Sequence, residues 1–429
     1  MSMVSELLKD VQLPRMVKVR QLLPRDSISG EEVPGVIHDL LQPEKFSGKI
    51  RPGMRICITC GSRGMANLAQ IIHSIADFCR EWGAEPFVIP AMGSHGGATA
   101  QGQLDVLESL GVTEKSVGCP ILSSMDTVVV GHSPEGLEVR IDKYAAEADG
   151  IIVFGRIKAH TAFHGPYESG IMKMMTIGMG KQQGAESCHS TGFKHMAYLV
   201  PTFGRIILQN APILFAVATL ENAFDETRRL VALAPEEIDT EEPKLLLEAK
   251  ATMQRILFPD CDVLVVDEVG KNISGEGMDP NVTGTFATPY ASGGIQAQKR
   301  CVLSLTEETH GNFHGLGMVD AISDRVFREL DFDITYPNTI TSTVLSFSKI
   351  PLVMKNDRET LQLCVKTCVE VDKKKIRMIR IKNSLDVEYI YISEAMLEEA
   401  RANPELEIVG EPEEIPFDEA GNIVGLRRL

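Results

Sequence analysis

The sequence predicts an α/β fold, made of two α/β domains with mostly parallel sheets. Three apolar segments rich in β-formers lie at residues 54–59, 85–92 and 149–155, and each runs into a loop that contains glycine. Amphipathic helices are predicted after the first two loops, at residues 67–83 and 101–111. Strands that alternate with helices in this way are joined by right-handed crossovers and form a parallel sheet.

Chain length and a change in composition predict where the domains divide. With 429 residues, the chain exceeds one ordinary core. A polar, acidic stretch at residues 234–250 precedes an apolar strand at residues 261–270, so the boundary is expected there. We therefore predict an N-terminal domain over residues 1–257 and a smaller C-terminal domain over residues 258–399. The last residues, about 400–429, are predicted to pack back on the N-terminal domain.

The composition limits the partners and the compartment. Hydrophobic residues make up 44% and charged residues 24% of the chain, as in a packed globular protein. The net charge of −16 repels phosphate backbones, so nucleic acid is not expected as a partner. No apolar stretch reaches the length that crosses a bilayer, and the first residues lack the features of a signal peptide, so no membrane partner and a cytoplasmic location are expected. The nine scattered cysteines are expected to be buried, reduced thiols.

Two of the predicted strand-end loops carry side chains suited to an anionic substrate. Arg63, in GSRG, follows the first strand, and an arginine at the start of a crossover can bind a carboxylate through two parallel hydrogen bonds. A surface arginine on a glycine turn is an equally good interpretation of that pattern. His95, in GSHGG, follows the second strand, where small neighbours leave room for a ligand. A histidine titrates near neutrality and suits general acid or base chemistry.

The third strand leads into a segment with further reactive side chains. His160 and His164 occur in KAHTAFHG; one is expected to face the cleft and the other to cover the loop. Lys173, in SGIMKMM, has apolar neighbours that favour a neutral, nucleophilic amine, although its amine could also extend to the surface. His189, in ESCHSTG, is compatible with metal ligation. Between these two residues, GMGKQQGA has small residues and a basic group that could hold a phosphate.

In combination these motifs resemble the nickel-pincer lactate racemase family, in particular its branch with GSRG, SHGG, KxH, ESGxxKM and THGN motifs. The resemblance runs from GSRG, near residue 61, to a pattern at residues 335–342. It implies two α/β domains with the active site in the cleft between them. The N-terminal domain would be the catalytic domain and would anchor the cofactor.

The resemblance also implies a cofactor and a pair of acid/base residues. Lys173 matches the lysine that attaches the nickel-pincer nucleotide, a nickel pyridinium-3-thioamide-5-thiocarboxylic acid mononucleotide, through a thioamide. His189 matches the histidine that ligates the nickel. His95 and His160 match the two catalytic histidines. Cofactor-synthesis proteins are therefore expected as partners.

Arg63 matches the arginine that binds the substrate carboxylate. Gln296 and Lys299, in GGIQAQKR, have the Gln-x-x-Lys spacing of a substrate-contacting pair, on a looser alignment. The loop between His160 and Ser169 is longer than in the lactate enzymes, which leaves the identity of the substrate open. The oligomeric state is also left open by the sequence.

The activity that the resemblance implies is racemisation or epimerisation of a small 2-hydroxy acid. Proton-coupled hydride transfer would pass through a planar 2-keto acid, with one histidine acid/base on each side. Two other classes stay open. A zinc hydrolase would use His160, His164 and His189 as ligands, although no HExxH motif is present. A non-catalytic homologue would only bind the hydroxy acid.

Overall fold

The computed structural model describes residues 2–426, which form two compact units. The central unit is Arg25–Met253, and the terminal unit combines the residues up to Pro24 with those from Gln254 onward. Within residues 2–426, no helix has both the length and the apolar character needed to cross a membrane. The nine cysteines are buried and unpaired, as the sequence predicts.

The strands are, in chain order, β1 (Met16–Gln21), β2 (Arg55–Cys60), β3 (Glu85–Pro90), β4 (Thr127–His132), β5 (Glu138–Asp142), β6 (Gly150–Arg156), β7 (Ile213–Glu221), β8 (Thr227–Leu233), β9 (Asp260–Val266), β10 (Gln296–Val302), β11 (Ala321–Ser323), β12 (Leu352–Met354), β13 (Met378–Ile381), β14 (Tyr389–Ser393) and β15 (Leu406–Ile408). The α-helices are α1 (Met3–Leu8), α2 (Val33–Leu41), α3 (Glu44–Ser47), α4 (Leu68–Glu81), α5 (Ala100–Ser109), α6 (Glu114–Val117), α7 (Lys143–Ala146), α8 (Ile171–Lys173), α9 (Lys181–His189), α10 (Met196–Asn210), α11 (Pro235–Thr252), α12 (Pro280–Thr283), α13 (Asp324–Arg328), α14 (Phe332–Ser342), α15 (Asp357–Thr367) and α16 (Leu397–Ala402).

The central unit is built on a five-stranded sheet in the order β3-β2-β6-β7-β8. The first four strands are parallel and β8 is an antiparallel edge strand. The three predicted strands at residues 54–59, 85–92 and 149–155 are confirmed as β2, β3 and β6. They are almost continuously apolar because helices cover both faces of the sheet, as in parallel sheets generally.

Two hydrophobic cores lie on opposite faces of this sheet, since neighbouring residues of a strand point to opposite sides. Ile56 and Ile58 of β2 belong to the core beneath α2 and α4. Cys57 of β2 belongs to the other core, which contains the apolar residues of α8, α9, α10 and α11. The helices that carry Lys173 and His189, α8 and α9, therefore pack on the same face of the sheet as Cys57.

The terminal unit has an eight-stranded sheet in the order β12-β11-β10-β9-β13-β14-β1-β15. The strands from β12 to β13 are parallel, whereas β14, β1 and β15 are joined to them by antiparallel pairing. It is an α/β sheet with an antiparallel extension. The predicted strand at residues 261–270 corresponds to β9.

The division between the units differs from the predicted domains at both ends of the chain. Residues 2–24 belong to the terminal unit, because β1 pairs with β14 and buries Val17 and Val19 completely. The predicted tail also belongs to the terminal unit, since β15 pairs with β1 rather than with the sheet of the central unit. Residues 427–429 lie outside the described residues. Pairing between such distant segments leaves no local sequence pattern.

Candidate active site

The carboxyl ends of β2, β3 and β6 lie at one edge of the central sheet, because the three strands are parallel neighbours. The loops that follow them carry Arg63, His95 and His160 respectively. The prediction that these residues occupy successive strand-end loops is therefore correct. In α/β sheets this edge is where ligands bind.

Arg63 lies beside a second guanidinium. Desolvation lowers the pKa of Arg63, and the positive charge of Arg156, at the end of β6, lowers it further. Arg156 donates to the Oε2 atom of Glu221 at 2.7 Å and to the carbonyl oxygen of Gly64 at 3.3 Å. Two guanidinium groups and one buried carboxylate leave a net positive charge at this edge, which favours an anionic ligand.

His95 is exposed, and a backbone contact defines its tautomer. Its Nδ1 atom lies 2.7 Å from the carbonyl oxygen of Met92. A carbonyl oxygen only accepts, so Nδ1 carries the hydrogen and the neutral ring has its lone pair on Nε2. The acid/base role of His95 stays a prediction. Gly96 is required in the turn, since it has φ +66° and a Cβ atom there would lie 2.4 Å from the carbonyl carbon of Gly102.

The neutral ring of His160 carries its hydrogen on the other nitrogen from that of His95. The backbone N–H of Ala162 donates to its Nδ1 atom at 3.0 Å, so the neutral ring carries its hydrogen on Nε2. Burial lowers the pKa of His160 well below its usual value, and the charges of Lys173, His189 and His164 lower it further. His160 is therefore a neutral hydrogen-bond donor at neutral pH.

A buried carboxylate fixes the loop that carries His160. The Oε2 atom of Glu168, which is completely buried, accepts from the backbone N–H of His160 at 2.8 Å. Its Oε1 atom accepts from Nζ of Lys250 at 2.6 Å. His164 belongs to this scaffold, because its Nε2 atom lies 3.2 Å from the carbonyl oxygen of His160. Of the two histidines in KAHTAFHG, His164 thus holds the loop together.

Lys173 is the last residue of α8 and directly precedes a single π-helical turn, Met174–Gly178. Such turns are rare and occur often at functional sites. Its charge lowers the pKa values of both His160 and His189, so the three side chains share one electrostatic environment. The N-terminus of α8 is held by Glu242, which accepts from the backbone N–H of Met172 at 3.0 Å. The neutral form of the Lys173 amine stays a prediction.

His189 ends α9 and presents a ring nitrogen suited to a metal. Its Nδ1 atom lies 2.8 Å from the carbonyl oxygen of Ala185, so Nδ1 is the donor and Nε2 has the lone pair. Desolvation lowers the pKa of His189, and the charge of Lys173 lowers it further. The ring of Phe193 has its centroid 6.0 Å from that of His189 and 6.5 Å from that of His160.

Lys173 and His189 fit a cofactor that takes one metal ligand from the protein and is held by a lysine. Within residues 2–426, no group of three or more histidine, cysteine or acidic side chains is arranged to hold a metal ion. The three-histidine site of the zinc hydrolase is not assembled. Instead, Nδ1 of His160 accepts from the backbone N–H of Ala162, and Nε2 of His164 donates to the carbonyl oxygen of His160.

The predicted phosphate-binding role of GMGKQQGA is wrong for its lysine. Lys181 is completely buried and forms an ion pair with Asp142, with Nζ 3.1 Å from Oδ2. An ammonium in this position has no access to a ligand phosphate. Sequence analysis also missed Glu168 and Glu242, whose roles depend on contacts between residues far apart in the chain.

Gln296 and Lys299 lie in the terminal unit, on β10. Gln296 is the first residue of this strand and is opposite Asp260, the first residue of β9. Lys299 has its Nζ atom 3.9 Å from an oxygen of Asp320. Within their own unit, they are away from the edge where the parallel strands end. Their contact with substrate stays a prediction.

Comparison with known proteins gives one family match. Residues 4–198 match the family model described as the lactate racemase N-terminal domain, and this range contains Arg63, His95, His160, Lys173 and His189. The structure of the lactate racemase apoprotein from Thermoanaerobacterium thermosaccharolyticum aligns with a TM-score of 0.48 and 11% identity, over 92% of this chain and 97% of that chain. A crystal structure of a Thermotoga maritima protein aligns with a TM-score of 0.48 and 13% identity, over 66% and 72% of the two chains. No match was found among curated proteins.

Replacing Lys173 by methionine should raise the pKa of His160. Removal of the ammonium leaves burial as the main cause of the lowered pKa but takes away the largest charge that disfavours the imidazolium. Histidine NMR titration of the cofactor-free protein measures the change. Lys194→Met, which removes an exposed lysine, is the matched control. An unchanged His160 pKa in Lys173→Met would show that the two groups do not share a site.

Proposed function

We propose that this chain, whose residues 4–198 match the lactate racemase N-terminal domain, is an isomerase that inverts C2 of a small 2-hydroxy acid. The observation that carries this proposal is the opposite polarity of two histidines on separate loops at one sheet edge. In the neutral rings, the lone pair is on Nε2 of His95 and the hydrogen is on Nε2 of His160. Inversion needs proton-transfer groups on both sides of the reacting carbon.

Substrate binding in this proposal begins at Arg63. Its guanidinium would bind the carboxylate through two hydrogen bonds, and the nearby charge of Arg156 strengthens the attraction. Arg156 itself is tied to Glu221 and to the backbone of Gly64, so it holds the Arg63 loop. The carboxylate would orient the C2 hydroxyl toward the histidines.

His95 is the base for one enantiomer. Its Nε2 lone pair would take the hydroxyl proton, while Nε2–H of His160 donates a hydrogen bond from the other side. For the other enantiomer His160 must accept the proton. This requires its own hydrogen to move to Nδ1, which ends the hydrogen bond from Ala162. Forward and reverse inversion pass through the same states, so proton exchange with His160 requires this rearrangement in both directions.

Lys173 and His189 would hold the nickel-pincer nucleotide, through the lysine amine and through Nε2 of the histidine. When bound, that group supplies the electron-poor acceptor that takes up and returns the C2 hydrogen with its electron pair. The lowered pKa of His189 keeps its imidazole neutral, as metal ligation requires. Gln296 and Lys299 are proposed as further substrate contacts on the weaker basis of their spacing.

The proposed function is tested with cofactor-loaded protein and single enantiomers of a panel of 2-hydroxy acids. Polarimetry should show that at least one acid approaches an equilibrium of both C2 configurations. His95→Gln and His160→Gln should each slow inversion by about 10²-fold or more, because positioned acid/base groups contribute roughly that much. Binding of an acid without inversion, at verified cofactor occupancy, would favour the non-catalytic alternative.

Lys173→Ala should abolish covalent retention of the cofactor. The lysine amine is the proposed point of attachment, and alanine has no nucleophile to replace it. Intact-protein mass spectrometry of loaded preparations measures the adduct. Lys158→Ala, a lysine on the neighbouring loop, is the control and should retain it. An adduct that persists in Lys173→Ala would place the attachment elsewhere.

Arg63 should govern substrate binding more than chemistry. We expect Arg63→Lys to raise KM, since it keeps the charge but loses the paired geometry, and Arg63→Ala to raise it further. A hydrogen bond to a charged group contributes roughly 1.5 to 3 kcal/mol, so alanine should weaken binding about tenfold or more. Cofactor loading should be unchanged. Wild-type KM in Arg63→Ala, or an empty cofactor site as its only defect, would refute this role.

A further inference from the structure

Lys181 connects three segments of the central unit from a completely buried position. Its ammonium donates to the carbonyl oxygen of Pro90, at the end of β3, and to Oε1 of Gln103 in α5 at 2.9 Å. It also lies 3.1 Å from Oδ2 of Asp142, at the end of β5. The other oxygen of Asp142 accepts from the backbone N–H groups of Tyr144 and Ala145 in α7. The contacts of Lys181 thus join the end of β3, helix α5 and the end of β5.

The network reaches the backbone of His95. The Nε2 atom of Gln103 donates to the carbonyl oxygen of Gly93 at 2.9 Å and to that of His95 at 3.4 Å. The backbone N–H of Gly93 donates to the carbonyl oxygen of Gly178, in the π turn, at 3.2 Å. Hydrogen bonds therefore run from Lys181 through Gln103 to the loop of the base.

The same lysine belongs to the segment between Lys173 and His189. It is the first residue of α9 and follows the π turn. Its φ of +53° lies in the left-handed region, where glycine would be the less strained residue. A lysine in this conformation indicates that its side chain is needed for more than the backbone turn.

A buried ion pair is weak evidence for stability, because desolvation of both charges offsets much of their attraction. Lys181 and Asp142 are both completely buried. The hydrogen bonds from the ammonium to Pro90 and Gln103 have a directional role that an apolar side chain of similar length could not supply. The pair is therefore better explained by positioning than by stability alone.

We propose that Lys181 is a positioning residue that fixes the His95 loop relative to the segment carrying Lys173 and His189. Only the catalytic effect of this positioning rests on the proposed function. The hydrogen-bond network itself is independent of that function. The network would keep His95 at a constant position relative to Lys173 and His189.

The test compares Lys181→Met, the double variant Lys181→Met/Asp142→Asn, and Gln103→Leu. The double variant removes both buried charges, so it should regain most of the thermal stability that Lys181→Met loses. Gln103→Leu leaves the ion pair intact and removes only its connection to the loop. A buried pair in the terminal unit, Arg380 and Asp267, whose atoms lie 2.7 and 2.8 Å apart, gives the matched control Arg380→Met/Asp267→Asn.

Amide hydrogen exchange of residues 91–98 in the cofactor-free protein is the main measurement. We expect exchange roughly tenfold faster in the double variant and in Gln103→Leu, and unchanged exchange in the control. In loaded enzyme the same two variants should lose about 10²-fold in kcat, because a small misplacement of a reacting group has that effect, with KM within about twofold of wild type. If Lys181→Met does not fold, the double variant and Gln103→Leu decide whether Lys181 positions the His95 loop.

Two results would overturn the proposal. Wild-type exchange in the double variant, together with regained stability, would show that the pair is only structural. Wild-type exchange in Gln103→Leu would show that the network does not hold the loop. A wild-type enzyme that inverts no hydroxy acid would refute the proposed function instead, because the exchange experiment needs neither cofactor nor substrate.

Discussion

The parallel direction of β3, β2, β6 and β7 is the constraint on which the rest of the site depends. Parallel neighbours end at the same edge, so loops that are far apart in the chain come together without any contact of their own. Helices cover both faces of the sheet, and only the strand ends remain for polar chemistry. Gly93, Gly96 and Gly97, after β3, have positive φ angles, and the turn that they form leaves His95 exposed.

Buried acidic side chains convert this edge into a defined geometry. Glu168 holds the backbone of His160, Glu242 holds the start of the helix that ends at Lys173, and Asp142 pairs with Lys181. Burial of Glu242 raises its pKa to about 8. Burial and the Lys173 charge keep His160 and His189 neutral, which suits hydrogen-bond donation and metal ligation.

Local patterns in the sequence predicted much of the central unit and little of what holds the site together. Alternation of apolar runs and glycine loops was enough to find β2, β3 and β6, and with them the loops of Arg63, His95 and His160. Pairing of β1 with β14 and β15 could not be predicted, because it joins segments hundreds of residues apart. The burial of Lys181 was missed for a similar reason, since its partner Asp142 is on a separate hairpin.

In the proposed reaction, C2 is inverted by moving the C2 hydrogen without losing it to solvent, while the histidines transfer the hydroxyl proton. The most direct test of this reaction follows an acid deuterated at C2 through inversion by cofactor-loaded protein in ordinary water. Chiral separation with mass spectrometry should find the deuterium retained in the inverted product. Loss of the label during inversion would indicate proton abstraction from C2 and would rule out transfer of the C2 hydrogen with its electron pair.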